Sequence, residues 1–395
     1  MKIRPSSLRL AWRISTRNIT TTTTTTSPSR PGKFANIKHD LLSRPPRTYY
    51  DYLTPTNSHL LNVTLADHFP PPTTSTTTSD EADHWTLPSI SSSSPLSSPG
   101  PNLLPQGHHL VYFPATHPTS ALRPDGTDTD HWPGPPFTRR LWAGGSVHFS
   151  HDALRLDGRR AVCVESVGDV RLKPAPVAKG AAGEVHGGGE GEDRVLAAGD
   201  KLFVDILRSY GSAVDGTGAE LKGLDAVEQV TASPAITERR TLVFLNETDA
   251  TAAAAAAAAG ERKPRSTRKD INTTAHHSVT ITPNPALLFR FSALSFNAHA
   301  IHLDPAYTAA AEGYRGRLVH GPLLLVLMLS ALRRALDGTG LAVSGLDYRN
   351  LEPVYVGEEM RVCVSPGRTR WNVWVEGAGG RRCVKGSAQV VGDLG

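Results

Sequence analysis

Cysteine is scarce: Cys163, Cys363 and Cys383 are the three in 395 residues, far apart and without a C-x-x-C pair. Such spacing excludes a disulfide framework and a zinc knuckle, and it suits a reducing compartment. Long apolar runs are missing too. The longest, residues 323–332, is bracketed by Gly321-Pro322 and Arg333-Arg334. It reaches about half of the ~20 residues a membrane span needs, so a core helix is expected and no span. The hydrophobic fraction of 39% is low for a folded chain. Part of the length is therefore expected to lie outside any core, and the rest suffices for two or three domains.

Acidic residues are absent before Asp40, where eight of the 42 Lys and Arg lie (Lys2, Arg4, Arg9, Arg13, Arg17, Arg30, Lys33, Lys38). The remaining 34 basic groups face 37 acidic ones, so the net charge of +5 belongs to the first residues and the body of the chain is not basic. A nucleic-acid partner is not expected. An acid-free start rich in Arg, Ser and Thr, with Ile3, Leu8, Trp12 and Ile14 among the arginines, reads as a mitochondrial transit peptide over 1–39 and a matrix location. The final GDLG lacks the SKL-type tail of a peroxisomal protein.

Simple-composition stretches divide the rest of the chain: TTSTTTSD and SISSSSPLSSPGP between 73 and 101, HGGGEGED near 186, and the poly-Ala tract 252–259 with ERKPRSTRKD behind it. These are too polar or too uniform to fill a core. They leave two foldable blocks, 46–247 and 278–395, with 248–277 as linker. In the first block HHLVYF, SVHFSHDALRL, AVCVESVGDVRLK, KLFVDILRSYG and ITERRTLVFL read as strands, and no helix as apolar as 321–336 is visible. In the second, HSVTIT is a strand, Asn284-Pro285 opens a helix, and Asp304-Pro305 opens a short one that stops at Gly313. The helix over 321–336 is apolar all round, the mark of a helix enclosed on most sides. Four strand-like runs follow it, from LAVSGLDYRNLE to CVKGSAQVVG. A buried helix followed by an antiparallel meander predicts an α+β fold, a sheet curled around that helix.

Residues 291–302 read FSALSFNAHAIH, so Asn297, His299 and His302 crowd six positions just ahead of the helix entrance His320-Gly321-Pro322. A helix N-terminus offers unpaired N–H groups and a positive dipole end, and Gly321 lets a ligand approach the backbone. A base beside such a cradle suits removal of a proton alpha to a carbonyl. Asp304 reads as a helix cap, and His320 as a residue that shapes the entrance. The pair Arg139-Arg140 reads as solvated surface or as a contact for a phosphopantetheine arm. Histidines 108, 109, 117, 131, 148 and 151 fit no ligand spacing, so no metal is expected.

The runs FSALSFNAHAIHLD, EGYRGRLVHGPLL and LDYRNLEPVYVGEEM resemble the hotdog-fold (R)-specific hydratases and dehydratases of the MaoC-like group, and within it the mitochondrial type 2 3-hydroxyacyl-thioester dehydratases. The stretch from LPQGHHLVYF to LWAGGSVHF resembles the N-terminal half of those enzymes. The resemblance implies a double hotdog, each half a sheet wrapped around a central helix, with the N-terminal hotdog degenerate. It also implies reversible dehydration of (3R)-3-hydroxyacyl thioesters to trans-2-enoyl thioesters in mitochondrial fatty acid synthesis, without a cofactor. Aligned on ALS and IH, the family loop's histidine falls on His302, its aspartate on Asn297 and its asparagine on His299. His302 is then the alpha-proton base, Asn297 an orienter of hydroxyl or water, Gly321 N–H an oxyanion donor with His320 beside it, and His299 the candidate acid. An amide in place of the carboxylate cannot exchange a proton near neutral pH. Acyl carrier protein is the implied partner, meeting Arg333, Arg334 or the 139–140 pair, in a monomeric double hotdog or a homodimer. The alternatives are an enoyl-CoA or dicarboxylic acyl-CoA hydratase and a non-catalytic acyl-thioester-binding subunit.

Overall fold

The structure is a computed structural model of the 395-residue chain. It describes residues 34–69, 103–150, 154–175, 194–197, 199–246 and 274–392. The predicted linker 248–277 and the leader up to residue 33 fall almost wholly outside them. The first described element, α1 (Phe34–Ser43), begins inside the segment 1–39 expected as leader, and its Phe34 and Leu41 are buried. The folded part thus starts earlier than the change in charge at Asp40 suggests.

The strands are β1 (Arg47–Tyr52), β2 (Phe137–Phe149), β3 (Arg160–Lys173), β4 (Lys201–Ser212) and β5 (Ile236–Asn246), then β6 (His277–Ile281), β7 (Leu341–Asn350), β8 (Met360–Ser365), β9 (Trp371–Gly377) and β10 (Arg381–Gly392). They form one antiparallel ten-stranded sheet in the order β1-β3-β4-β5-β2-β7-β10-β9-β8-β6. Counted outward from the β2–β7 seam, each set of five has the same order, second, fifth, fourth, third, first. The chain therefore carries one topology twice, related across a seam whose middle pair is Ser146–Asp347.

Between β6 and β7 lie α4 (Pro285–Leu294), α5 (Ala300–Leu303), α6 (Pro305–Ala310) and α7 (Gly321–Leu336). Asn284 caps α4 by accepting from Leu287 N at 2.8 Å, and Asp304 caps α6 by accepting from Ala306 N and Tyr307 N. Every residue of α7 from Leu323 to Leu332 is buried, as its all-round apolar pattern requires. Among the described residues no helix is long and apolar enough to cross a membrane.

The first half departs from its sequence reading in three places. HHLVYF is not a strand: His108–Val111 is a single 3-10 turn whose four residues are all buried. Among the described residues before β2 no helix matches the length of α7. SVHFSHDALRL is a strand only as far as Phe149. The helices α2 (Pro55–Leu65) and α3 (Gly223–Ala232) and the strand β1 were not anticipated.

Candidate active site

The catalytic loop predicted from sequence lies between α4 and α7. Its backbone turns at Phe296, which adopts φ 52°, and Asn297 closes the turn by accepting from His299 N through Oδ1 at 3.0 Å. The carboxamide oxygen thus holds the loop, and Nδ2 remains as the donor with which Asn297 can orient a hydroxyl or water. His302 Nδ1 is 2.8 Å from Leu318 O. A carbonyl only accepts, so the ring proton sits on Nδ1 and the lone pair on Nε2.

Three imidazoles meet here. His302 stacks on His320 with centroids 3.7 Å apart, and His299 meets His302 edge-on at 5.6 Å. His320 Nε2 lies 2.8 Å from Ser292 Oγ on α4. Two ring nitrogens, His299 Nε2 and His320 Nδ1, are buried with no hydrogen-bond partner among the described residues. A buried orphan nitrogen destabilises its site unless water or a ligand pairs with it. Burial is the main cause that holds all three rings neutral. It brings the His302 pKa down to about 4, opposed by the bond to Leu318 O and helped by the charge of Arg140. His299 and His320 are pushed well below their ordinary value by burial and then by their neighbouring imidazoles.

The sign of the resulting pH dependence is set by linkage. Between the unfolded value near ~6.5 and the folded value of about 4, the unfolded chain binds a proton at His302 that the folded one refuses. Stability is complete above that window and is lost as pH falls through it, by on the order of 3 kcal/mol from this group. Urea unfolding at pH 7, 5 and 4 checks this, and a His302→Gln protein is expected to show a shallower loss.

Gly321 opens α7, whose first N–H groups have no partner within the helix. The space a Cβ would take at Gly321 is filled by Trp142 of the first half, 2.7 Å from that position, with Asn350 Nδ2 at 3.2 Å. Glycine here admits Trp142, not a ligand on that side as the sequence reading expected. Trp142 is fixed in turn by Nε1 donating to Tyr348 Oη at 2.7 Å.

The first half adds residues that carried little signal in the sequence. Residues 123–130 run alongside the catalytic loop, with Ala300 N donating to Asp125 O at 2.8 Å. Gly126 is at φ +79° and so close that a Cβ would lie 2.0 Å from Ala298 O. Arg140 pairs with Asp128 at 2.8 Å, and its charge is felt by both His299 and His302. The one local signal was Asp125-Gly126, a turn dipeptide in a stretch without strand pattern. Arg139 is no surface residue: it is buried and ion-paired to Glu312 of the second half. Arg333 likewise turns inward to Gln106 O. Neither is placed to meet an acidic partner, and of the four arginines expected to do so Arg334 is the exposed one.

A ten-stranded sheet around a buried helix, with a histidine loop at the helix entrance, defines the class of double-hotdog dehydratases and hydratases. The MaoC-like dehydratase of Phytophthora capsici shares the fold, with a TM-score of 0.52 and 13% identity over 90% of this chain and 98% of that one. The chain belongs to the hydroxyacyl-thioester dehydratase type 2 family, whose model matches residues 107–185 and 215–356 and so takes in the whole histidine loop and Gly321. It is 27% identical over 277 residues to the mitochondrial hydroxyacyl-thioester dehydratase type 2 of Schizosaccharomyces pombe, across 69% of this chain and 80% of that protein. It is 36% identical over 113 residues to the mesaconyl-C(4)-CoA hydratase of Chloroflexus aurantiacus, across 29% of this chain and 39% of that protein.

Proposed function

We propose that the protein eliminates water reversibly from (3R)-3-hydroxyacyl thioesters to give trans-2-enoyl thioesters, in the mitochondrion and in fatty acid synthesis. The observation that carries this is the neutral His302, its Nδ1 tied to Leu318 O and its Nε2 directed away from that bond, beside the N-terminus of α7. Nε2 takes the C2 proton while Gly321 N–H holds the charge that develops on the thioester oxygen. The C3–O bond breaks, and the proton on His302 leaves with the hydroxyl as water. His299 is held neutral, so its part is to donate a hydrogen bond to the departing hydroxyl, with Asn297 Nδ2 as a second donor. The imidazolium of His302 supplies the proton that an amide at 297 cannot.

The mitochondrial setting is supported by the acid-free start and by the name of the fission yeast relative. The split into an N-terminal degenerate domain, 46–247, and a catalytic domain, 278–395, is supported by the strand order repeated on either side of the seam. The acyl group reaches the site as an acyl carrier protein or CoA thioester. A CoA-linked dicarboxylic substrate is the second reading, favoured by the likeness to a mesaconyl-CoA hydratase and by Arg140 near the imidazoles.

Hydration of crotonyl-CoA and of longer enoyl thioesters, followed at the absorbance of the conjugated thioester, tests the proposal. Loss of that absorbance with formation of the 3R alcohol is expected. Binding without turnover on every thioester would leave an acyl-binding subunit instead. In the same assay Asn297→Asp is expected to stay within about tenfold of wild type, ~1.4 kcal/mol in barrier. The carboxylate still accepts from His299 N and keeps the turn; a larger loss would give Nδ2 an essential part.

A further inference from the structure

At the other end of α7 from the catalytic loop a cavity of about 380 Å³ opens between the two halves. That lies within the ~300–1,000 Å³ of small-molecule sites. Its place is dictated by the repeat. Turning the molecule about the Ser146–Asp347 pair carries Trp142 onto Val343 and Asn350 onto Phe149. Both Val343 and Phe149 line the cavity. Gly107 stands just before the 3-10 turn, as His320 stands just before α7. Gln106 donates through Nε2 to Val343 O, as Asn350 donates to Trp142 O at 2.8 Å. The cavity is the first half's counterpart of the catalytic site, with no imidazole among the described residues of its wall and with Leu104, Ile236 and Leu341 beside Val343 and Phe149.

Among the described residues one cation lines it, Arg333. Arg333 donates to Gln106 O and to Ser330 Oγ, the latter at 3.1 Å, and among the described residues no carboxylate pairs with it. Asp337, also on the wall, is exposed and makes no ion pair with it. Burial alone lowers the guanidinium pKa to about 10. Its charge is also felt by His108, which burial holds neutral. A half-buried cation with no carboxylate paired to it among the described residues is a ready partner for an anion that brings its own apolar surface.

We infer that this cavity is a second binding site, which takes an amphipathic monocarboxylate of the medium-chain fatty acid class, its carboxylate on Arg333 and its chain among the apolar residues. By the rise of ~1.5 Å per residue, Arg333 stands about 18 Å along α7 from Gly321, so the ligand does not compete for His302. The site is independent of the chemistry proposed at the histidine loop.

Titration calorimetry of the full chain with octanoate and with its neutral isostere octanamide tests this. Octanoate is expected to bind at least about tenfold more tightly, the discrimination of a hydrogen bond to a charged group. Arg333→Met is expected to abolish the preference, and His302→Ala to leave octanoate affinity unchanged. If Arg333→Met does not fold, the octanoate to octanamide ratio of the wild type and the His302→Ala protein still decide. Equal affinity for the two ligands, no octanoate binding, or octanoate displaced by crotonyl-CoA and lost in His302→Ala would each overturn the inference.

Discussion

Replacing His302 with Ala is expected to lower kcat/KM for enoyl-thioester hydration by ~10²–10⁴, the span of general acid–base catalysis. The loss should fall on kcat, with KM changed far less, because the proton is shared only in the transition state. Ala also leaves a void between His320 and Leu318 O, so its effect mixes chemistry with packing. His302→Asn separates them: its amide donates to Leu318 O as Nδ1 does at 2.8 Å, yet it cannot accept a proton near neutral pH. Both variants are expected to show the same loss. Because the folded pKa is about 4, the acid limb of the wild-type kcat/KM profile should lie well below ~6.5, the ordinary value of histidine. Full activity in His302→Asn would remove the base assigned here, whatever the Ala protein does.

Features governed by neighbours in the chain were legible in the sequence. The caps at Asn284 and Asp304, the breaks at Pro285 and Gly321, and the enclosed face of α7 are all set within a few residues, and each was read correctly. The histidine loop was legible because Asn297, His299 and His302 fall in one short segment. What the sequence hid depends on distant partners. HHLVYF ends in an unbroken apolar run like a buried strand, but packing in the core selects a 3-10 turn at 108–111, and pattern alone does not separate the two over so short a run. Strand β1, RTYYDY, lies at the sheet's edge with no residue fully buried, so it carries little hydrophobic signal. Arg139 was read as solvated because that is the ordinary state of an arginine. Its partner lies 173 residues away, beyond any local pattern.

That ion pair sets the second large effect. Arg139 on β2 and Glu312 on the segment between α6 and α7 are both buried, and Arg139 Nη2 also donates to Glu312 O at 2.9 Å. Tyr307 Oη reaches the same carboxylate at 3.4 Å, and the Arg139 guanidinium lies 5.4 Å from the Tyr314 ring centre. Burial raises the Glu312 carboxyl pKa even with Arg139 beside it, so desolvation outweighs attraction here. Such a pair contributes little net stability while intact, but removing one partner strands the other charge in the interior. Glu312→Ala is therefore expected to lose about 3–5 kcal/mol in urea unfolding, read as a lower midpoint at unchanged slope. The double variant Arg139→Met with Glu312→Leu fills the same space without charge and is expected to match or exceed wild-type stability. Six residues beyond Glu312 the chain reaches Leu318, whose carbonyl fixes the His302 tautomer. Stability and chemistry should then part in the double variant, which keeps the fold but loses the bond from Arg139 to the Glu312 carbonyl that steadies this segment. A Glu312→Ala protein as stable as wild type would show that water, not protein, surrounds Arg139 at the seam between the halves.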